Sequence, residues 1–328
     1  MERVLSGIQP TGEIHLGNYL GALRHWVEMQ DSFDAYYCVV DLHAITVPYE
    51  PAKLADRTIS TVAQLLAVGL DPAKATLFVQ SHVPAHTELQ WLLNSVTQYG
   101  ELRRMTQFKD KSQGQDAVSA GLFNYPILMA ADILVYNADR VPVGDDQRQH
   151  LELARNIAQR FNQRFGDVFT VPDAAIPGVA ARVMDLANPE NKMSKSASST
   201  QGIVGLLDPP KQVAKKIRSA VTDSGAEIAF DPAAKPGISN LLSINAAVTD
   251  RSVDDVVAEF DGQGYGHLKV ATANATVAFL EPIQARYAAL MDDPGAITAI
   301  LSTGAKKASQ QASEMVIRAK DAMGLLAG

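Results

Sequence analysis

The fold is decided near the start of the chain, where residues 3–18 read RVLSGIQPTGEIHLGN. Arg3–Ser6 is typical of a buried strand, and Asn18–Gln30 predicts a helix with one apolar face. The glycines between them let the backbone approach a ligand closely, and the N-terminus of the helix offers unpaired N–H groups and a positive dipole end. His15 and Asn18 are placed to donate hydrogen bonds to a nucleotide. The stretch predicts a phosphate site; taken alone, an ordinary tight turn is the alternative.

Beyond this unit, short β-rich runs alternate with amphipathic helical patterns up to about residue 185. Such alternation is typical of a parallel sheet whose strands are joined by helices. The later predicted strands are Tyr36–Val40, Thr76–Gln80, Val141–Val143 and Ala181–Leu186. The later predicted helices are Pro51–Val68, Pro84–Tyr99, Pro126–Asn137 and Asp146–Arg164. Pro84 and Pro126 are prolines suited to a first helical turn. The predicted fold class is therefore α/β with a parallel sheet.

The second half of the chain has a different pattern. No strand is predicted beyond Asn188, and from Pro209 onward the patterns are helical only. We predict a catalytic domain over residues 1–187, with an inserted polar segment at about 100–125, and a helical domain over 188–328. For the last helix, at about 295–323, packing back on the first domain is an alternative to packing within the helical domain. The serine-rich run Ser194–Thr200 is typical of a mobile loop.

The composition is that of an average globular protein, with 47% hydrophobic and 20% charged residues in 328. No apolar stretch reaches the roughly 20 residues of a membrane-spanning helix and no signal peptide is apparent, so we expect a cytoplasmic protein without a membrane partner. The single cysteine, Cys38, excludes an internal disulfide and a multi-cysteine metal site, and it is expected in the core. The net charge of −7 argues against indiscriminate nucleic-acid binding but leaves room for a local basic patch.

A second nucleotide signal follows the last predicted strand, where residues 191–196 read NKMSKS. Its lysines are compact cations on flexible stems, suited to a triphosphate on which charge develops during transfer. A solvated loop is the alternative for this segment alone.

Taken together, the two segments resemble the two signature motifs of class I aminoacyl-tRNA synthetases, which bind ATP from opposite sides. The matching residues are Gly12-x-x-His15-Leu16-Gly17-Asn18 and Lys192-Met193-Ser194-Lys195-Ser196. Asn18 stands where a second histidine is often found, as is usual in the tyrosine and tryptophan branch. Residues 6–12, 41–46, 129–134, 141–144, 219–224 and 235–242 further resemble the tryptophan members of that branch, collinearly over essentially the whole chain.

The resemblance implies a Rossmann-type catalytic domain, an all-helical domain that binds the tRNA anticodon, a homodimer, and Mg²⁺ used together with ATP. It implies no organic prosthetic group and no protein-bound metal. The implied activity is the conversion of L-tryptophan and ATP to tryptophanyl-adenylate and pyrophosphate, followed by transfer of tryptophan to tRNA(Trp). In an open parallel sheet, these ligands are expected beyond the carboxyl ends of the strands.

Carried over residue by residue, the resemblance implies three sets of site residues. The ATP set is Gln9, Thr11, His15, Gly17, Asn18, Gly144, Asp146, Val183, Lys192, Met193, Ser194, Lys195 and Ser196. The tryptophan set is Leu5, Gly7, Gln9, His43, Tyr125, Met129, Asp132, Val141, Val143 and Gln147. The catalytic set is Lys192 and Lys195, with Lys111 of the inserted segment, for which a solvated charge is an equal alternative.

Asp132 has a physical reason of its own to belong to the site. An indole N–H donates a hydrogen bond and cannot accept one, so a tryptophan site needs an acceptor in an apolar slot. If Pro126–Asn137 is helical, Tyr125, Met129 and Asp132 share one face. Because a carboxylate in this apolar segment is costly to bury alone, a ligand or a hidden donor must satisfy it. For Tyr125 and Met129, ordinary core packing is the alternative.

Several further groups remain open on sequence grounds. Two cationic clusters, Lys211, Lys215, Lys216 and Arg218, then Lys306 and Lys307, are either tRNA contacts or solvated helix faces. Four histidines without metal-ligand spacing, His25, His82, His86 and His150, are interpreted as structural or surface residues. The alternatives for function are a tyrosine enzyme of the same branch and a non-catalytic RNA-binding relative.

Overall fold

The structure is a computed structural model, and it describes residues 1–10, 12–112, 117–144, 147–175, 182–194 and 200–326, with the side chains of 110–112 also outside the description. Its strands are β1 (Arg3–Ile8), β2 (Asp34–Val39), β3 (Thr76–Val79), β4 (Arg140–Pro142) and β5 (Asp173–Ala175). They form one sheet in the order β3-β2-β1-β4-β5, and every pair is parallel. The predicted α/β class with a parallel sheet is confirmed. The strand order reverses between β1 and β4, which is where such sheets open a crevice for ligands.

Helices connect the strands and fill the second half of the chain. The first half contains α1 (Leu16–Asn18), a π-helical turn (Tyr19–Leu23), α2 (Arg24–Met29), α3 (Asp41–Ala44), α4 (Pro51–Ala67), α5 (Ala85–Asn94), α6 (Tyr99–Arg103), α7 (Thr106–Ser112), α8 (Ala120–Leu134) and α9 (Arg148–Phe165). The second half contains α10 (Pro210–Arg218), α11 (Pro236–Thr249), α12 (Val253–Phe260), α13 (Tyr265–Met291) and α14 (Pro294–Ala322). Within the described residues, no helix is both long and apolar enough to cross a membrane.

The predicted strand at Ala181–Leu186 is wrong over residues 182–186, and Ala181 lies outside the described residues. Met184 makes only an isolated antiparallel bridge with Lys192. The side chain of Asn240 on α11 accepts from the Met184 N–H at 2.8 Å and donates to its carbonyl at 2.9 Å. Because these backbone groups are satisfied by a side chain, they do not join the sheet. The fifth strand is β5, which was not predicted.

Two helix predictions need correction. α8 begins at Ala120 rather than at Pro126, because Ser119 Oγ caps it by accepting from Leu122 N at 3.1 Å, and Pro126 lies inside the helix. The helix predicted over Pro84–Tyr99 ends at Asn94. A new helix, α6, starts at Tyr99, where Gln98 and Glu101 cap each other reciprocally.

Successive strand residues face opposite sides of the sheet and build two cores. Val4 and Tyr37 pack with α4 and the helices α10–α13, and their neighbours Leu5 and Tyr36 pack with α5, α8, α9 and α14. The first core therefore continues without interruption from the sheet into the helical half. The last helix, α14, packs back along the edge strand β3.

Candidate active site

A cavity of about 310 Å³ lies at the carboxyl edge of the sheet, beside the β1–β4 switch point. Its walls come from the ends of β1 and β4, from α3 after β2, and from one face of α8. All ten residues of the predicted tryptophan set line it: Leu5, Gly7, Gln9, His43, Tyr125, Met129, Asp132, Val141, Val143 and Gln147. A larger groove of about 580 Å³ runs along α14 beside His82, but no residue predicted for ATP or tryptophan lines it.

Seven more residues line the cavity that the sequence did not single out: Ser6, Cys38, Val40, Thr46, Gln107, Ile133 and Pro142. Three of them, Ser6, Ile133 and Pro142, are direct chain neighbours of predicted residues, and adjacency in sequence was the available signal for those three. Cys38 is buried as predicted, and burial together with the nearby carboxylates of Asp132 and Asp41 raises the pKa of its thiol. Gln107 comes from α7, and nothing in the polar sequence around it indicated a residue of the site.

Asp132 receives three hydrogen bonds from the protein. Oδ1 accepts from Gln80 Nε2 at 2.7 Å and from His86 Nδ1 at 2.6 Å, and Oδ2 accepts from His43 Nε2 at 2.8 Å. Asp132 as a residue is only 4% exposed. These are the hidden donors that burial of a carboxylate in an apolar helix required.

The same contacts set the charge of Asp132. Burial raises the pKa of its carboxyl, but the hydrogen bonds from His43 and His86 outweigh burial and hold that pKa at about 2. Asp132 is therefore an acceptor at neutral pH. The prediction that His86 is a structural or surface residue has to be refined, because His86 is fully buried and contacts a predicted substrate-binding group.

Tyr125 lies on the same cavity wall, and its hydroxyl contacts two neighbouring side chains. Its hydroxyl lies 2.8 Å from His150 Nε2 and 3.3 Å from Gln107 Oε1. Burial raises the pKa of Tyr125 to about 12, so the hydroxyl keeps its proton. Of the other histidines interpreted as structural or surface residues, His150 is buried, His82 is exposed, and His25 contacts Glu28 at 3.0 Å.

The first nucleotide motif forms a tight turn into α1. Gly12 has a φ of +130°, a backbone conformation that would be strained in a residue with a side chain. His15 and Asn18 cap each other: His15 Nδ1 accepts from the Asn18 N–H at 3.1 Å, and Asn18 Oδ1 accepts from the His15 N–H at 3.3 Å. The ring proton of neutral His15 therefore sits on Nε2, and the donor of Asn18 is its Nδ2 amide.

The second motif packs directly against the first. Met193 is buried, and its N–H donates to the Val183 carbonyl at 3.1 Å, while Lys192 is exposed. A Cβ added at Gly17 would lie 3.3 Å from the Cβ of Met193. Two backbone hydrogen bonds, Leu16 N to Val204 O at 2.8 Å and Leu206 N to Ile14 O at 2.9 Å, join the flanking segments. The structure thus brings together two motifs that are about 175 residues apart in sequence.

Some predicted residues lie outside the described part of the chain. These are Thr11, Asp146, Lys195 and Ser196, together with the side chain of Lys111 and most of the serine-rich run. Gly144 is described and exposed, and its carbonyl accepts at 3.0 Å from the N–H of Gln147, which lines the cavity. Ser194 is half-buried next to Met193.

Comparison with known proteins places this geometry in a family. Residues 1–281 match the model of the class I tRNA synthetases (W and Y). The chain is 56% identical over 328 residues to a tryptophan–tRNA ligase of Corynebacterium glutamicum, covering 99% of this chain and 95% of that protein. A tryptophanyl-tRNA synthetase structure from Mycoplasma pneumoniae superposes with a TM-score of 0.91 at 39% identity, covering 99% of this chain and 98% of the other. The Campylobacter jejuni enzyme complexed with ADP and tryptophan superposes with a TM-score of 0.86 at 35% identity, over 98% and 100% of the two chains.

Proposed function

Because the chain belongs to the class I tRNA synthetases that serve tryptophan and tyrosine, we propose that its cavity holds L-tryptophan and that the two packed motifs hold ATP beside it. The chain is an ATP-dependent aminoacyl-tRNA ligase that activates tryptophan and transfers it to tRNA(Trp). One observation carries the choice of amino acid in the structure: a charged acceptor, Asp132, lines the same cavity as the apolar side chains of Met129 and Val143. A tyrosine site needs partners for a phenolic hydroxyl, whereas one acceptor suits an indole N–H.

Each part of the cavity has a proposed role. Asp132 accepts from the indole N–H, and Met129 and Val143 form the slot walls. Tyr125, Gln147 and Gln9 bind the amino and carboxylate end of the substrate. The remaining tryptophan set, Leu5, Gly7, His43 and Val141, completes the walls at the end of β1, after β2 and in β4.

Activation is a displacement at phosphorus. A tryptophan carboxylate oxygen forms a bond to the α-phosphorus of ATP, and the bond to pyrophosphate breaks, so the protein positions the reactants and stabilises charge. His15 and Asn18 present donors at the start of α1, where the helix dipole favours phosphate. Lys192 and Lys195 act on the departing pyrophosphate, with Lys111 as a third candidate. Removing either motif lysine should therefore depress turnover more than ATP affinity.

Mg²⁺ is proposed to arrive with ATP. Mg²⁺ keeps several waters and commonly binds substrate phosphates rather than an all-protein cage, and it would neutralise phosphate charge here. The described residues contain no group of three or more His, Cys, Asp or Glu side chains placed to hold a metal ion. Activity titrated with EDTA and restored by Mg²⁺ tests this requirement.

The tRNA surface is proposed to include one face of α10. Lys216 is already paired with Asp208 at 2.7 Å, and Lys307 lies 3.9 Å from Asp34. Lys211, Lys215 and Arg218 are exposed at helical spacings of four and three residues. None of these three forms an ion pair with a described carboxylate, so their charges are available to phosphates. The helical half is proposed to bind the tRNA anticodon, with the domain boundary at 187/188.

A homodimer and a cytoplasmic location complete the proposal. Trp91 on α5 is 74% exposed and Tyr99 on α6 is 67% exposed, and large exposed aromatics are typical of surfaces that bury against a partner. Light scattering coupled to size exclusion should give the mass of two chains, and Trp91→Glu should shift it toward one.

Amino-acid-dependent ATP–pyrophosphate exchange, run with all twenty amino acids, tests the function. Exchange with tryptophan supports the proposal, exchange with tyrosine alone favours a tyrosine enzyme of the same branch, and no exchange favours a non-catalytic relative. Asp132→Ala should lose discrimination against phenylalanine, because the unpaired acceptor that penalises phenylalanine is gone. An unchanged ratio of kcat/KM for tryptophan and phenylalanine would contradict the role of Asp132.

A further inference from the structure

A buried chain of hydrogen bonds runs away from the cavity behind Asp132. The carboxylate contacts His86 Nδ1 at 2.6 Å, and the other ring nitrogen of His86, Nε2, lies 2.8 Å from the Tyr136 hydroxyl. His86 and Tyr136 are both fully buried, and neither lines the cavity. Tyr136 also packs against the imidazole, with ring centroids 5.4 Å apart. The two residues therefore act on a substrate only through Asp132.

The donor-to-acceptor direction of this chain of hydrogen bonds is set by Tyr136 at one end and Asp132 at the other. Burial, with the nearby carboxylate of Asp132 and other groups, raises the pKa of the Tyr136 hydroxyl, so it keeps its proton and needs an acceptor. Among the described residues, that acceptor is His86 Nε2. With Nε2 accepting from Tyr136, the ring nitrogen that donates to Asp132 is Nδ1.

The orientation of the Gln80 side-chain amide is fixed by its hydrogen bonds in the same way. Its Oε1 accepts from the Leu42 N–H at 3.2 Å, so its Nε2 is the end that donates to Asp132 Oδ1. Oδ1 thus has two donors, while Oδ2 has one, from His43. A carboxylate offers about four acceptor positions, so capacity remains, and Asp132 lines the cavity. The orientation and charge of the acceptor are set before any substrate enters.

We infer that His86, backed by Tyr136, is a positioning residue that holds the Asp132 carboxylate in one orientation, as an acceptor directed into the cavity. Selection of a substrate with a ring N–H then depends on two side chains that do not contact the substrate. This inference rests on the proposed function and deepens it. Loss of the His86 donor would let the carboxylate rotate or take up a proton, and a protonated carboxyl offers its hydrogen to the wrong partner. The penalty should fall on substrates with a ring N–H and spare those without one.

Two substrates separate this role from general damage to the fold: L-tryptophan and β-(benzothiophen-3-yl)alanine, which has sulfur in place of the ring N–H. The measurement is kcat and KM in pyrophosphate exchange for both. His86→Phe removes the donor and keeps a ring, whereas His86→Asn places an amide N–H near the position of Nδ1 and should rescue. Tyr136→Phe removes only the hydroxyl behind the imidazole. Tyr37→Phe is the matched control, since it removes an equally buried hydroxyl that donates to the Trp26 carbonyl at 2.7 Å in the other core.

The unmodified protein should prefer tryptophan over the sulfur analogue by about tenfold or more in kcat/KM. His86→Phe should lower that ratio by about tenfold, mainly through the KM for tryptophan, and Tyr136→Phe by about threefold. His86→Asn and Tyr37→Phe should stay within about twofold of the unmodified ratio.

Equal losses for both substrates, or an unchanged ratio in His86→Phe, would overturn the inference. If His86→Phe does not fold, the ratio in Tyr136→Phe decides, and an unchanged value there overturns it. A protein without any tryptophan-dependent exchange would overturn the proposed function and this inference together, whereas an unchanged ratio overturns the inference alone.

Discussion

Asp132 carries its charge on a wall with little access to water, and desolvating such an ion costs several kcal/mol. Three charge-assisted hydrogen bonds, each contributing about 1.5–3 kcal/mol, offset that cost. The donors come from three elements: His43 from α3, Gln80 from the turn after β3 and His86 from α5. The ionised state of Asp132 therefore depends on how these three elements pack around it.

The lowered pKa of Asp132 predicts a pH dependence of stability. The ordinary value is 3.8 and the folded value is about 2, so ionised Asp132 contributes roughly 2 kcal/mol above pH 3.8, and this contribution is lost as the pH falls through about 2. Urea unfolding of the unmodified protein and of Asp132→Asn between pH 5 and pH 3 measures it. The difference in unfolding free energy should shrink by about 1 kcal/mol over this range. A difference that does not change with pH would show that the carboxylate is not stabilised as described.

Among the secondary-structure elements, α14 packs closely on the edge strand β3. Gly304 faces the exposed edge of β3 so closely that an added Cβ would overlap the backbone carbonyl oxygen of Leu77. Covering an edge strand with a helix also removes a template for pairing with other chains. Helix and strand can meet at this distance only because residue 304 lacks a side chain.

Gly304→Ala should lower the free energy of unfolding by about 2 kcal/mol or more, because a backbone atom cannot move aside like a side chain. The matched control is Gly266→Ala near the start of α13, where an added Cβ has nothing within 4 Å. There alanine should be neutral or stabilise by about 0.5–1 kcal/mol. Chemical denaturation compares the two variants, and equal effects would contradict the close approach.

The proposed cationic face of α10 predicts a salt effect confined to tRNA. In the triple variant Lys211→Gln, Lys215→Gln and Arg218→Gln, the KM for tRNA should rise by about tenfold, and the slope of log affinity against log salt should fall by about 2. Pyrophosphate exchange, which needs no tRNA, should be unchanged. A second triple variant, Lys53→Gln, Lys74→Gln and Lys320→Gln, removes the same charge from lysines paired with Glu50, Asp31 and Glu88. If both variants lose tRNA affinity equally, α10 is not a specific contact.

At the scale of the whole molecule, the two halves share one core. Val4, Tyr37 and Val39 of the sheet belong to the same buried cluster as Ile238, Leu241 and Leu268 of the helical half. The nucleotide motifs also sit at this junction, where Gly17 meets Met193. A site assembled from both halves needs them to be held together.

The shared core predicts that both halves unfold together. In Trp91→Phe, fluorescence reports only Trp26, which is 4% exposed and stacks on Tyr37 in the sheet. Far-ultraviolet circular dichroism reports mainly the helices. The two urea transitions should coincide at a fixed protein concentration. Separate midpoints would instead support independent domains divided near residue 187.

Where local patterns were strong, the sequence predicted the elements well. The strands at Arg3, Tyr36 and Thr76 and the helix from Pro51 are present with bounds shifted by a few residues. The errors occurred where tertiary contacts override local preference. Pro126 is a plausible helix start, but Ser119 caps α8, which begins at Ala120, six residues before Pro126. Asn240 binds the backbone N–H and carbonyl of Met184, at the centre of the segment predicted to be a strand.

The sequence alone determined the parallel α/β class and the resemblance to class I synthetases, because periodicity and motif chemistry are local properties. The ten residues that line one cavity followed from that resemblance, carried over residue by residue. Only the tertiary structure decided that His86 and Gln80 supply the hidden donors to Asp132 and that Tyr136 stands behind them. It also decided that Gly17 packs on Met193 and that α14 covers β3. Such contacts depend on how distant segments meet in space, and neither the type of a residue nor its spacing in the chain specifies that meeting.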